Sequence, residues 1–166
     1  MRIFLIGFMG CGKSTVGKKL ARKLNFKFID IDTEIEKNQG KSIAEIFKIE
    51  GETEFRNLER NFLIDTFTLD NVVVSCGGGL PCFFDNMDLI NTHGISVYLK
   101  MSPKSLHNRL IPAKTTRPLL QNKTDEEILP FIEETLALRE QFYNKAQFVV
   151  KGENLDVFAL IELLNL

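Results

Sequence analysis

The sequence predicts a three-layer α/β protein, a parallel sheet of five strands with helices on both faces. Two observations predict it. Short apolar runs of strand length alternate along the chain with amphipathic helical patterns, the succession that builds a parallel sheet through crossover helices. The runs at 2–6 and 72–76 are also nearly continuous in apolar residues, as strands buried on both faces must be. In such a sheet, ligands gather beyond the carboxyl ends of the strands.

The elements follow in order. Residues 2–6 form a short buried strand, and 14–24 a helix with Val16, Leu20 and Leu24 on one face. A second strand at 26–31 ends in Asp30-x-Asp32. Ser42 with Glu45 three residues on is a capping-box pattern that opens a helix, and Gly51 interrupts it before a second charged helix reaching Thr66. The third strand, 72–76, feeds the glycine turn Gly77-Gly78-Gly79-Leu80-Pro81. A fourth strand covers 95–99 and a helix 103–110. The polar, helix-poor stretch 111–123 then precedes a longer helix at 125–145, a last strand at 148–150 and a closing amphipathic helix at 155–164.

A chain of 166 residues fits one domain, 1–166, with neither a repeat nor a linker long enough to divide it. Its net charge of -1 supplies no global basic field for nucleic acid or an anionic membrane, so anion binding must be local. The longest apolar stretch, 3–10, is far short of the roughly 20 residues of a spanning helix, and no cleavage site of the secretory kind follows it. A cytoplasmic location is expected. Cys11, Cys76 and Cys82 are odd in number and lack paired spacing, and His93 and His107 are isolated, so neither a disulfide framework nor a zinc site is indicated.

The sharpest motif is Gly7-Phe-Met-Gly10-Cys11-Gly12-Lys13-Ser14, which fits G-x-x-x-x-G-K-S/T between a strand and a helix. Backbone N–H groups of the glycine loop close around phosphate oxygens, the helix N-terminus adds positive potential, Lys13 reaches the β- and γ-phosphates, and the Ser14 hydroxyl ligates Mg²⁺. Asn122-Lys123-Thr124-Asp125 has the N-K-x-D form by which GTPases read guanine. It follows no strand, however, and no Asp in the chain has Gly three residues later.

The other candidates each carry two readings. Asp30 and Asp32, two apart at a strand end, share a face and suit Mg²⁺ and a substrate hydroxyl; alternatively they end the strand and cap the next helix. Arg56, with Glu52 at i-4 and Glu59 at i+3, is on spacing alone a surface ion-pair ladder. Arg139, with Tyr143 at i+4, is on its own an exposed helix residue, and Arg117 a loop arginine. The Gly77 to Gly79 turn lets a ligand approach its backbone. Cys11, a thiol at a helix N-terminus beside Lys13, is either reactive and shielded by nucleotide or a small residue filling the loop.

Taken together, Gly7-x4-Gly12-Lys13-Ser14-Thr15, Asp30-x-Asp32, Phe55-Arg56-x-x-Glu59, the triple glycine, Arg117-Pro118-Leu119-Leu120 and Arg139-x3-Tyr143 resemble the shikimate kinase family in order and spacing over nearly the whole chain. The resemblance implies a nucleoside-monophosphate-kinase-like fold with strand order 2-3-1-4-5, a lid at about 111–123 and a substrate-binding helical region at about 32–61. It implies ATP- and Mg²⁺-dependent phosphorylation of the shikimate 3-hydroxyl by a monomer, a step toward aromatic amino acids. Carried over by position, it assigns Gly10, Cys11, Gly12, Lys13, Ser14 and Thr15 to ATP, Ser14 to Mg²⁺, and Asp32 to the substrate hydroxyl. Arg56, Gly78 and Arg139 hold shikimate, Arg117 reaches the phosphates from the lid, and Asp30 and Ser75 support Mg²⁺ through water. Two departures stand out: Cys11 lies where members carry Ala, Ser or Thr, and 150–154 offers no match to the family's adenine contact. The competing readings are a kinase for another hydroxylated acid such as gluconate, and a nucleotide-binding module without catalysis.

Overall fold

In the computed structural model, which describes residues 1–113, 119, 120 and 122–166, five strands form one sheet in the order β2-β3-β1-β4-β5. They are β1 (Arg2–Ile6), β2 (Lys27–Asp30), β3 (Val72–Ser75), β4 (Ile95–Lys100) and β5 (Phe148–Lys151). Every pairing is parallel. Ile3 to Ile6 of the central strand are wholly buried, as are Val72 to Val74 beside them, whereas β2 and β5 at the edges are only half covered. Position in the sheet thus accounts for the continuous apolar pattern at the centre and its loss at the rims.

The helices are α1 (Lys13–Leu24), α2 (Ile31–Gln39), α3 (Ile43–Thr66), α4 (Asn86–His93), α5 (Pro103–Leu110), α6 (Asp125–Tyr143) and α7 (Val157–Leu163), with a 3₁₀ turn at Leu80–Cys82. The capping box forms: Glu45 N–H bonds Ser42 Oγ at 3.3 Å and Ser42 N–H bonds Glu45 Oε2 at 2.8 Å. Gly51, at φ 85°, breaks α3 as expected, because only glycine takes that backbone readily. The Lys123-Thr124-Asp125 stretch belongs to the start of α6, where Thr124 N–H donates to Glu127 Oε2 at 2.7 Å. Those residues therefore begin a helix, and among the described residues before them 119, 120 and 122 form turn rather than strand.

Two elements differ from expectation. The second strand ends at Asp30, and the chain turns at once into α2, so Asp32 lies in a helix rather than on a strand face shared with Asp30. Asp30 is the N-cap, its Oδ1 accepting from Thr33 N–H at 3.4 Å. Helix α4 was not anticipated at all.

Gly94, which ends α4 and leads into β4, shows how tightly the sheet is covered. A Cβ there would stand 2.6 Å from the Arg2 carbonyl oxygen and 2.7 Å from the Phe4 ring. The backbone oxygen cannot swing aside, so Gly94→Ala is expected to destabilise the fold by about 1–3 kcal/mol, the usual cost of overpacking. Urea unfolding monitored by circular dichroism checks this through a lower midpoint at unchanged slope.

Candidate active site

The parallel register sets Leu5, Ser75 and Asp30 side by side at the carboxyl end of the sheet. From there β1 runs into the phosphate loop. Gly12 occupies the N-cap of α1 at φ 99°, a left-handed conformation that turns the loop into the helix. The loop wraps its own lysine: Lys13 Nζ donates to the carbonyls of Gly7 at 2.9 Å and Phe8 at 3.0 Å. Above it opens a cleft of about 710 Å³ lined by Gly10, Gly12, Lys13, Ser14 and Thr15, with Asp30, Asp32 and Ser75 across from them. Ser14 Oγ donates to Asp30 Oδ2 at 2.6 Å, so the capping aspartate also reaches the loop.

A second cleft, of about 510 Å³, adjoins the first and is built by α3, α6 and the triple-glycine turn. Arg56 lies on its wall. The ion pairs read from spacing are present, Arg56 to Glu52 at 3.0 Å and to Glu59 at 2.6 Å, but the face is buried, with Arg56 7% and Glu59 1% exposed. The expectation of a solvated ladder is therefore corrected. The rings of Phe47, Phe55 and Phe83 flank the guanidinium at 5.7, 5.3 and 4.2 Å and exclude water from one side. Burial pushes the Glu59 carboxyl up to about 7, against the downward pull of Arg56.

Arg139, half-buried on α6, completes the wall, its guanidinium 5.6 Å from the Phe8 ring centre. The glycines beneath are small because charged groups press on them. A Cβ on Gly77 would stand 2.6 Å from Glu59 Oε1 and 2.8 Å from Asp32 Oδ1, and one on Gly79 only 2.5 Å from Arg56 Nη1. Among the described residues, five border both clefts: Met9, Asp32, Ile43, Ala44 and Gly78. Asp32 is the one among them with an ionisable side chain.

Of the remaining sequence candidates, Arg117 lies outside the described residues, as do all of 114–118 and residue 121 of the expected lid; Leu119 borders the second cleft. Cys11 turns inward, 1% exposed, and its Sγ sits 3.8 Å from Lys13 Nζ. That burial favours the filler reading over an accessible thiol. Burial also pushes the Cys82 thiol up to about 11 and raises Cys76, so both stay protonated. Arg109, which no sequence motif singles out, places its Nη1 3.4 Å from the Gly10 carbonyl at the rim of the phosphate cleft. Its only signal was a cation in the last turn of α5.

A glycine loop closing on a lysine at a strand-to-helix junction, beside a second cleft lined by arginines, defines a P-loop kinase for a small acidic molecule. The shikimate kinase family model matches residues 9–161. The chain belongs to the shikimate kinase family. It is 47% identical to shikimate kinase of Bacteroides thetaiotaomicron over 156 residues, covering 94% of this chain and 89% of that one. A crystal structure of shikimate kinase from the same organism superposes with a TM-score of 0.95 at 46% identity, covering 100% of this chain and 99% of that one. The Acinetobacter baumannii enzyme in complex with shikimate superposes at 0.86 with 33% identity, covering 99% and 93%. A gluconokinase from Sinorhizobium meliloti, 18% identical at a TM-score of 0.56 over 97% of this chain and 87% of that one, shares the fold alone.

Proposed function

We propose that this chain, as a shikimate kinase using ATP, seats the nucleotide phosphates over the 10–15 loop and shikimate in the Arg56–Arg139 cleft, and passes the γ-phosphoryl to the 3-hydroxyl past Asp32. One observation carries the reading: the two clefts share a wall, and its ionisable group is a carboxylate. Phosphoryl transfer asks the protein for alignment and charge neutralisation more than covalent chemistry. Asp32 orients the hydroxyl and accepts its proton. Arg56 and Arg139 fork onto the shikimate carboxylate, and Gly78 admits the ring against backbone. Lys13 takes up charge on the transferring group, Arg117 adds to it from the 111–123 lid, and Arg109 faces the nucleotide across the loop.

The donor set fits Mg²⁺. Ser14 Oγ and the Asp30 carboxylate lie 2.6 Å apart with Ser75 one strand over, an all-oxygen set, and Mg²⁺ takes one or two such ligands while keeping several waters. Held there, the ion would supply charge neutralisation for the nucleotide phosphates. Ser14 would hold it directly, and Asp30 and Ser75 would do so through water. The helical region at about 32–61 forms the acceptor side of the single domain. The reading also takes the chain as a cytoplasmic monomer acting on two small molecules, without nucleic acid or membrane; the near-neutral charge supports the last point, since it offers no basic field for either. Among the described residues, no helix is long and apolar enough to cross a membrane.

A coupled ADP-release assay tests the reading with shikimate, gluconate or no acceptor, each with and without Mg²⁺. ADP is expected only where shikimate and Mg²⁺ are both present. Equal release without acceptor would make the protein an ATPase, faster release with gluconate would reassign the acceptor, and silence in every arm would leave a binding module.

A further inference from the structure

We infer that Tyr143 is a positioning residue for the acceptor, its hydroxyl pinning the triple-glycine turn against α6 so that Gly78 and Arg139 keep one fixed spacing. The inference rests on the shikimate reading of that cleft. Three glycines in succession have no side chains with which to hold their own conformation and the largest backbone freedom to lose. Their carbonyls are nevertheless all engaged: Gly77 O accepts from Leu80 N–H at 3.1 Å, Gly79 O from Cys82 N–H at 2.9 Å, and Gly78 O from Tyr143 Oη at 2.5 Å. The first two bonds are local to the turn. The third spans 65 residues and, of the three, is the one that ties a glycine to another element.

Tyr143 is suited to that task. It is 0% exposed, in the last turn of α6, and burial raises its hydroxyl well above the ordinary tyrosine range, so it stays a donor. Its ring packs at 5.1 Å on Tyr98, whose own hydroxyl donates to Glu140 Oε1 at 3.2 Å, while Lys100 pairs with Glu140 at 3.1 Å. The ring is thus held from behind. Arg139 lies one turn earlier on the same face of α6, and its Nη1 is 3.3 Å from where a Cβ on Gly78 would sit. The trans peptide after Gly78 is planar, so fixing the carbonyl on Tyr143 also aims the Gly79 N–H away from it. A single hydroxyl then sets both the backbone floor of the acceptor cleft and its distance from the arginine that grips the acid.

Tyr143→Phe removes one oxygen and keeps the ring. The expected result is a three- to tenfold rise in KM for shikimate with KM for ATP within twofold of wild type, and a matching three- to tenfold loss of shikimate affinity in calorimetric titration. Tyr98→Phe, which deletes a hydroxyl from the same layer without touching the turn, should keep both KM values within twofold. A merely structural hydroxyl would reduce the folded fraction, lowering apparent kcat with both KM values unchanged, and that outcome overturns the inference. So do equal rises in the two KM values, or a Tyr98→Phe effect as large as that of Tyr143→Phe. Failure of the wild-type protein to phosphorylate shikimate would instead remove the functional reading itself.

Discussion

Asp32→Asn is expected to lower kcat for shikimate phosphorylation by at least about tenfold, within reach of the ~10²–10⁴ that a general base contributes, while KM for ATP changes less than twofold. The substitution keeps the shape of the side chain and removes its charge and basicity. Asp32 borders both the phosphate cleft and the acceptor cleft, and it lies in the first turn of α2. A purely helical role makes a different forecast. A carboxylate at a helix N-terminus is worth about 0.3–1 kcal/mol, so Asn would then lower the unfolding midpoint slightly and leave turnover intact. Steady-state rates beside a urea titration separate the two, and wild-type kcat in the variant removes Asp32 from the chemistry.

Much of this arrangement is legible in the sequence. The central strands announce themselves because residues such as Phe4 and Val73 are buried whichever face they point to, leaving no alternation to misread. The glycine loop is equally plain, since its backbone conformations and its lysine are demanded by the same few residues. The start of helix α2 was left open between a strand end and a helix cap for a specific reason. Asp30-Ile31-Asp32-Thr33 alternates polar and β-branched residues as a strand does, so spacing alone leaves the capping reading of Asp30, which the bond to Thr33 bears out, beside the strand reading. Helix α4 carries Asn86, Asp88, Asn91 and Thr92, poor helix formers over only eight residues, and no side-chain bond caps its start.

The acceptor side shows the other limit. Spacing along α3 gave the partners of Arg56 correctly, because i-4 and i+3 neighbours follow from the helix alone. It could not give the environment, since Phe83 comes from the far side of the glycine turn and converts a surface pattern into a buried one. The bond from Tyr143 to Gly78 and the reach of Arg109 over Gly10 are likewise products of the fold, joining positions 65 and 99 residues apart.

Arg139→Lys should raise KM for shikimate by roughly five- to 150-fold, or about 1–3 kcal/mol of binding, and hardly move KM for ATP. The charge is retained; the fork is not. A planar guanidinium presents two parallel N–H donors to a carboxylate, and in a cleft partly closed from water each charge-assisted bond is worth about 1.5–3 kcal/mol. Arg139 and Arg56 both line the cleft of about 510 Å³, so the acid would meet two such cations. Arg56→Lys should act in the same direction and carry a second cost. Glu52 and Glu59 both bond its guanidinium, at 3.0 and 2.6 Å, and a single ammonium cannot span them and the ligand together. If instead Arg56 served only its glutamates and Arg139 only solvent, neither change would alter KM, and Arg139→Lys would shift stability by no more than about 0.5 kcal/mol. Shikimate titrations on both variants decide this: unchanged KM in the pair would leave the phosphate loop and the family membership standing while removing the two arginines from recognition of the acid.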